Sequence, residues 1–388
     1  MKILHISDNH LGAIKYRKNE TYNDFLKVFD EIFKLAFDYN PDIIIHSGDL
    51  FHKDRPESIT LKFAFDKFLE LSKKFKILII PGNHDFKARV GLSPISIFEN
   101  GNIKVVEMRD IFKEDKVDVQ KLKFCYNGIN FYLIPYFSDR QLLRDSIFEI
   151  LTDLKDSEIN FIVLHQIIDE ETSRQKAGII DIPFENLKNF DFIFLGHFHT
   201  PKVKEKFAYV GSSEAIKYDE YEYDENGFIK QKTKKRIILY EVLGKSNIKK
   251  EEILLKTPRE YIKIEFDDPT INEIENKLKN YEDNEKILIL KISNANHNIT
   301  IELNSLLSKL KFYHVEKIIT SFKQNQIQNL KIINTNNYKQ EILGKYYEIV
   351  MKIIENQNII DLENEKEQEK EIENILRSLT NEDKVNRT

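Results

Sequence analysis

Residues 2–12 read Lys-Ile-Leu-His-Ile-Ser-Asp-Asn-His-Leu-Gly, an apolar β-branched run that delivers Asp8 and His10 at its end. The same grammar returns along the chain. Pro-Asp-Ile-Ile-Ile-His-Ser-Gly-Asp (41–49) ends in Asp49, and Phe-Lys-Ile-Leu-Ile-Ile-Pro-Gly-Asn-His-Asp (75–85) ends in Asn83, His84 and Asp85. Asn-Phe-Ile-Val-Leu-His (160–165) ends in His165, and Phe-Asp-Phe-Ile-Phe-Leu-Gly-His-Phe-His (190–199) ends in His197 and His199. Runs of this kind read as strands buried on both faces. Their ends gather on one edge of a sheet, where α/β proteins place active sites. Carboxylate, amide oxygen and imidazole nitrogen all ligate divalent cations. The set is large enough for two ions sharing one carboxylate, an arrangement suited to hydrolysing phosphate esters. Any single island is weak, because a lone histidine in an apolar run is normally a packed core residue. The order and spacing of the five islands carry the reading.

The series Asp-Asn-His-Leu-Gly, Gly-Asp-Leu-Phe, Gly-Asn-His-Asp, His, Gly-His-Phe-His resembles the calcineurin-like metallophosphoesterase superfamily. The longer forms His-Ile-Ser-Asp-Asn-His-Leu-Gly (5–12) and Gly-Asp-Leu-Phe-His-Lys-Asp-Arg-Pro (48–56) are similar to its DNA double-strand-break repair branch. That branch holds the meiotic-recombination-eleven nucleases and the SbcD-type exonucleases. The resemblance covers roughly the first 240 residues. It implies an α/β fold: a two-sheet β sandwich flanked by helices, with a small βαβαβ capping domain and a helical C-terminal tail.

Composition agrees with an intracellular enzyme. At 388 residues two or three domains are expected, and 41% apolar residues supply a sizeable core. The single cysteine, Cys125, excludes an intrachain disulfide and points to a reducing compartment. The core strand already begins at Met1–Ile6, which leaves no room for a signal peptide before the first ligand. No apolar run approaches the ~18 residues that span a membrane. The resemblance implies a cytoplasmic, nucleoid-associated protein of a prokaryote, with an archaeal source expected. The net charge is −5, and residues 357–388 contribute −4 of it through nine acidic and five basic side chains. The body is therefore near neutral. Composition alone does not mark a DNA binder, and that expectation rests on the resemblance.

Three parts follow from the periodicity. Residues 1–250 alternate strands with amphipathic helices, among them Thr21–Tyr39 and Ile59–Phe75, and Phe207–Leu243 reads as strand-rich. Residues 259–323 read βαβαβ, with strands at Tyr261–Phe266, Ile287–Ile292 and Glu316–Phe322. Ile271, Ile274, Leu278 and Tyr281 share one helix face there, and Ile301, Leu303, Leu306, Leu307 and Leu310 mark a second helix. By resemblance this part caps the active site and touches DNA; a structural appendage is the plainer alternative. Residues 338–388 carry two apolar helical stripes: Ile342, Tyr346, Ile349 and Ile353, then Ile372, Ile375, Leu376 and Leu379. Such stripes need a groove to bury them, or they pack back on the body. The resemblance favours docking on the coiled-coil base of an SMC-like ATPase. The chain has no Gly-x-x-x-x-Gly-Lys-Ser/Thr loop, so any ATP-driven step belongs to another protein.

The resemblance also distributes roles. Asp49 bridges two ions. Asp8, His10 and His199 complete one position, and Asn83, His165 and His197 the other. His84 faces the scissile phosphate as a catalytic residue, and Asp85 either orients its imidazole or caps the loop. His52 assists exonuclease action by orienting DNA, against the plainer reading of a surface loop histidine. His5 and His46 are core residues or hydrogen-bond partners of ligands, and His297 and His314 receive no role. Lys15, Tyr16, Arg17, Lys18, Arg55 and Arg89 are weak candidates for phosphate contact, each explained as well by a solvated loop. Ligands without thiolate are compatible with manganese, iron or zinc, and Mn²⁺ is the family's usual activator. Family members dimerise through helices near 58–72 and 93–100, where Leu61, Phe63, Phe65, Phe68, Ile95, Ile97 and Phe98 supply either an apolar bundle or ordinary core. The expected activity is a dimetal DNA nuclease, a 3′–5′ exonuclease on duplex ends and an endonuclease on single strands. The alternatives are a small-molecule phosphodiesterase of the same superfamily and a non-catalytic scaffold with this fold.

Overall fold

The computed structural model describes residues 1–85, 92–107, 111–113, 116–169, 172, 180–245, 247–295 and 297–321. The expected tail helices, and Arg89, lie outside the described residues.

Two six-stranded mixed sheets form the α/β core, as the resemblance implies. In spatial order the first runs Asn247–Leu254, Arg236–Gly244, Lys2–Ile6, Ile43–His46, Lys76–Ile79 and Ile103–Val105. The second runs Lys202–Val203, Phe207–Tyr209, Phe192–Leu195, Ile159–Leu164, Ile129–Ile134 and Lys123–Tyr126.

Alternation along the strands explains the layering. Ile3, Ile43, Ile45 and Leu78 point between the sheets and pack with Phe131, Phe161, Val163 and Phe194. Their neighbours Leu4, Ile6, Ile44, Ile77 and Ile79 point the other way, onto Phe25, Phe29, Ile32 and Phe68 of two covering helices. The first helix is Thr21–Tyr39, with the bounds its apolar period predicts; Asn40 closes it in the left-handed conformation. The second is Ser58–Ser72 and stops short of the expected Phe75. Phe75 is buried and folds back against Phe37, so the chain leaves the helix at Lys73 to place that ring. The stretch 207–243 is less strand-rich than its pattern predicts. Only Phe207–Tyr209 and Arg236–Gly244 are strands within it, and the polar segment between them forms short 3-10 turns.

The third sheet holds Tyr261–Asp267, Asp283–Ala295 and Phe312–Ser321, with helices Ile271–Lys279 and His297–Leu307 between them in sequence. This is the expected βαβαβ order, with the middle strand longer at both ends. By contact density the chain falls into two units. Among the described residues the first takes Met1–Glu265, Ile274–Lys291 and Leu306–Ile318; the second takes Phe266–Glu273, Ile292–Ser305 and 319–321. Among the described residues no helix is long and apolar enough to cross a membrane.

Candidate metal centre

Register brings the islands together. In the first sheet Ile6 pairs with His46, and His46 with Ile79, all in parallel. The three strands therefore end in one row, and Asp8, Asp49 and Asn83 leave from a common edge. In the second sheet Leu164 pairs with both Ile134 and Leu195, so His165 and His197 leave from a matching row. Backbone ladders continue past the strands: Asp8 N–H donates to Gly48 O at 2.9 Å, His10 N–H to Asp49 O at 3.1 Å and Leu11 N–H to Leu50 O at 2.8 Å. Asp8, His10, Asp49 and His197 all adopt positive φ, between 46° and 78°. Such conformations cost non-glycine residues about 1–3 kcal/mol each and persist where the surroundings impose them. Gly82 is required for close approach, because a Cβ there would collide with the Asp49 carboxylate and its backbone nitrogen.

All seven expected ligands meet. One nitrogen or oxygen from each of Asp8, His10, Asp49 and His199 falls within 4.8 Å of the others. On the far side of Asp49, His165 Nε2 lies 3.3 Å from Asp49 Oδ2. Asn83 Oδ1 lies 3.2 Å from His165 Nε2 and 2.8 Å from His197 Nδ1. Asp49 thus stands between two groups of donors, with His10 Nε2 at 3.8 Å on its other flank.

The donor chemistry fits dications. His165 gives its Nδ1 hydrogen to Ser47 O at 2.7 Å, and His199 gives its Nδ1 hydrogen to Glu220 Oε1 at 2.9 Å. Both Nε2 lone pairs are then left for a cation. The Nε2 atoms of His10 and His199 face each other at 3.1 Å, an arrangement a shared ion would satisfy. Electrostatics agree. Burial opposes ionisation of Asp49, but the surrounding histidines, His165 first and then His10 and His84, together outweigh it and hold the carboxyl well below the usual carboxylate range. Burial would likewise lower His165, yet Asp49 pushes it up to about 9. Burial keeps His10 neutral.

His84 and His52 flank the donors. Their rings stack at 5.2 Å, and the His84 ring stands edge-on to His10 at 4.8 Å. His84 donates its backbone N–H to Asp49 Oδ1 at 2.8 Å and its Nδ1 hydrogen to His52 O at 2.9 Å. Asp85 is fully buried. Its carboxylate accepts N–H bonds from Leu50 at 3.2 Å, Phe51 at 2.9 Å and Gly82 at 3.0 Å. Of the two readings for Asp85, these bonds are those of the loop cap. His46 donates to Asn9 Oδ1 at 2.8 Å and His5 meets Ser47 Oγ at 2.8 Å. Both hold up the ligand loops from behind, and burial keeps both neutral, with pKa values near 3.

The basic candidates divide. Lys15 is buried, and its ammonium bonds Glu214 Oε1 at 3.1 Å, Ala215 O at 2.8 Å and Tyr261 OH at 3.1 Å. It is committed to the fold and is corrected from phosphate contact to internal ion pair. Tyr16 stacks on His314 at 3.9 Å, and Lys18 bonds the Tyr313 carbonyl with its ammonium 4.6 Å from the centroid of the Tyr313 ring. Arg17 and Arg55 are exposed. In the expected dimer segments, Phe68, Ile95 and Phe98 are core, while Ile59, Leu69 and Ile97 are exposed. The sequence reading missed Glu220 and Lys235. Burial opposes ionisation of Glu220, but Lys235 and then His199 outweigh it and hold the carboxyl well below its ordinary range.

A family model for the calcineurin-like phosphoesterases matches residues 1–201. The chain is 28% identical to a DNA double-strand break repair protein Mre11 of Methanocaldococcus jannaschii, over 59% of this chain and 61% of that protein. It is 26% identical to the Mre11 of Archaeoglobus fulgidus over 84% of this chain and 77% of that one. It is 24% identical to one component of the nuclease SbcCD of Staphylococcus epidermidis, over 52% of this chain and 57% of that one. The match thus spans under two thirds of the length of two of these three relatives.

Proposed function

We propose, from the premise that the chain belongs to the calcineurin-like phosphoesterase family, that it is a dimetal DNA nuclease of double-strand-break repair. The observation that carries this reading is Asp49 set between two donor groups, with His84 and His52 stacked at the rim. The names of the relatives, DNA break repair proteins and a nuclease component, support DNA as the substrate over a small ester.

Asp8, His10, Asp49 and His199 would hold one ion, and Asp49, Asn83, His165 and His197 the other; Mn²⁺ is the ion we propose. When bound, two dications polarise a phosphodiester and lower the pKa of water. The chain's own residues do the rest. The neutral amide of Asn83 limits the negative charge facing an anionic phosphate. His84, its Nδ1 hydrogen held by His52 O, would act as the imidazolium: its second hydrogen, on Nε2, stabilises the phosphate charge and passes to the leaving 3′ oxygen, leaving the neutral ring behind. His52 orients the strand for 3′–5′ exonuclease action on duplex ends, and endonuclease action on single strands depends on it less. Asp85 fixes the two loops that carry Asp49 and His84.

Residues 259–323 act as the capping domain over DNA, and 338–388 dock an SMC-like coiled-coil ATPase through Ile342, Tyr346, Ile349, Ile353, Ile372, Ile375, Leu376 and Leu379. A homodimer would form through the segments near 58–72 and 93–100, where Ile59, Leu69 and Ile97 are exposed. The test is cleavage by the purified chain with Mn²⁺ of end-labelled duplex, circular single-stranded DNA and bis-p-nitrophenyl phosphate. Degradation of DNA that Asp49→Ala eliminates is expected. Hydrolysis of the small ester alone would replace the nuclease with a small-molecule phosphodiesterase.

A further inference from the structure

Behind His199 lies a buried ion pair that the reaction described above does not use. Glu220 Oε1 accepts three hydrogens: His199 Nδ1 at 2.9 Å, Ile216 N–H at 2.9 Å and Lys217 N–H at 3.0 Å. Glu220 Oε2 accepts two more, from Lys235 Nζ at 2.6 Å and Ser212 Oγ at 2.8 Å. Lys235 spends its remaining hydrogens on Ser212 Oγ at 2.7 Å and His199 O at 3.2 Å. Its side chain is fully buried under the Tyr221 ring, 5.0 Å from the centroid.

We propose that Glu220, held by Lys235, is a positioning residue that keeps the His199 proton on Nδ1 and so aims the Nε2 lone pair at the first metal position. The inference rests on the two-ion reading above and sharpens it.

Three features argue for it over a plain structural staple. A staple needs no imidazole, yet the carboxylate spends one of its bonds on the ring of a ligand. The pair grips His199 at both ends, since Glu220 holds the ring and Lys235 holds the carbonyl of the same residue. And the arrangement is asymmetric. His165, in the second position, gives its Nδ1 hydrogen to the neutral carbonyl of Ser47. An anionic acceptor raises the basicity of a ligating imidazole more than a carbonyl does, and losing such a partner typically weakens metal binding about 10- to 100-fold.

The experiment is calorimetric titration of the full chain with MnCl₂, comparing wild type with Glu220→Gln. A glutamine offers one acceptor oxygen to five donors. Two equivalents are expected in the wild type. In the variant one should weaken about 10- to 100-fold while the other is unchanged. Unchanged affinity at both positions overturns the inference, and so does an equal loss at both, which would mark the pair as a structural prop. If Glu220→Gln fails to fold, the double variant Glu220→Gln/Lys235→Met removes both buried charges and is titrated instead. A measurement on the wild type needs no variant to fold. Ring ¹⁵N shifts of the metal-free chain, with His199 assigned by its loss in His199→Gln, should show protonated Nδ1 and bare Nε2; the opposite tautomer overturns the inference. No uptake of Mn²⁺ by the wild type would sink the two-ion reading itself, a result distinct from unchanged uptake in the variant.

Discussion

Replacing Gly82 by alanine perturbs the site by a single methyl whose consequences the geometry fixes. The new Cβ would stand 2.5 Å from the Asp49 backbone nitrogen and 2.7 Å from its Cγ, where ordinary contact begins at about 3.4 Å. The loops bearing Gly82 and Asp49 must therefore part by roughly 0.9 Å, and a misplacement near 1 Å costs about 10²-fold in rate. They resist parting, because Asp85 ties Gly82 N–H to Leu50 N–H and Phe51 N–H through one carboxylate. Strain without much relief should lower stability by about 1–3 kcal/mol, as overpacking does. Initial rates on bis-p-nitrophenyl phosphate and circular single-stranded DNA read the first effect, and urea denaturation reads the second. Gly101→Ala is the control, since nothing lies within 4 Å of a Cβ there. A Gly82→Ala enzyme within threefold of wild type, with Mn²⁺ uptake intact, would refute the claim that this approach shapes the site.

His84→Ser should retain both equivalents of Mn²⁺ in calorimetry while cleavage disappears; loss of an ion would make His84 a ligand. His52→Ser should depress duplex exonuclease activity more than single-strand endonuclease activity, and an equal loss in the two assays would remove its special role. Arg259 bonds Asp24 through two nitrogens at 2.7 and 2.9 Å and lies 3.6 Å over the Tyr313 ring. Arg259→Met strands a buried carboxylate and should cost about 3–5 kcal/mol in denaturation, with recovery in Arg259→Met/Asp24→Leu. A loss under about 1 kcal/mol would show the pair to be solvated.

The candidate ligands and the strands that carry them were legible for one reason. Each of the five islands follows its own apolar run, so the signal is local, and parallel register does the assembly afterwards. The same locality hid Glu220. It sits in Tyr-Asp-Glu-Tyr-Glu-Tyr-Asp-Glu (218–225), where nothing separates a buried acid from solvated neighbours. Lys235 ends a run with Lys230, Lys232 and Lys234 that reads as a wet surface; it alone of the four is buried. Only tertiary contact selects these two. Lys15 failed in the opposite direction. A lysine beside a ligand loop looks like a phosphate hand until Glu214 and Tyr261, some two hundred residues on, close over it. Left-handed backbone at Asp8, His10, Asp49 and His197 was equally silent, since ordinary residues occupy it and only the surroundings impose it.

The ladder that runs past the strand ends from Asp8 to Leu11 bears on kinetics. Loops pinned backbone to backbone have already surrendered their freedom when the chain folds, so capture of an ion need not organise them. Uptake should then proceed at a speed set by how readily the hydrated ion sheds water. Amide hydrogens of Asp8, His10 and Leu11 should resist deuterium exchange as well before loading as after it. The chain behaves in this respect as a mould cast before the metal is poured.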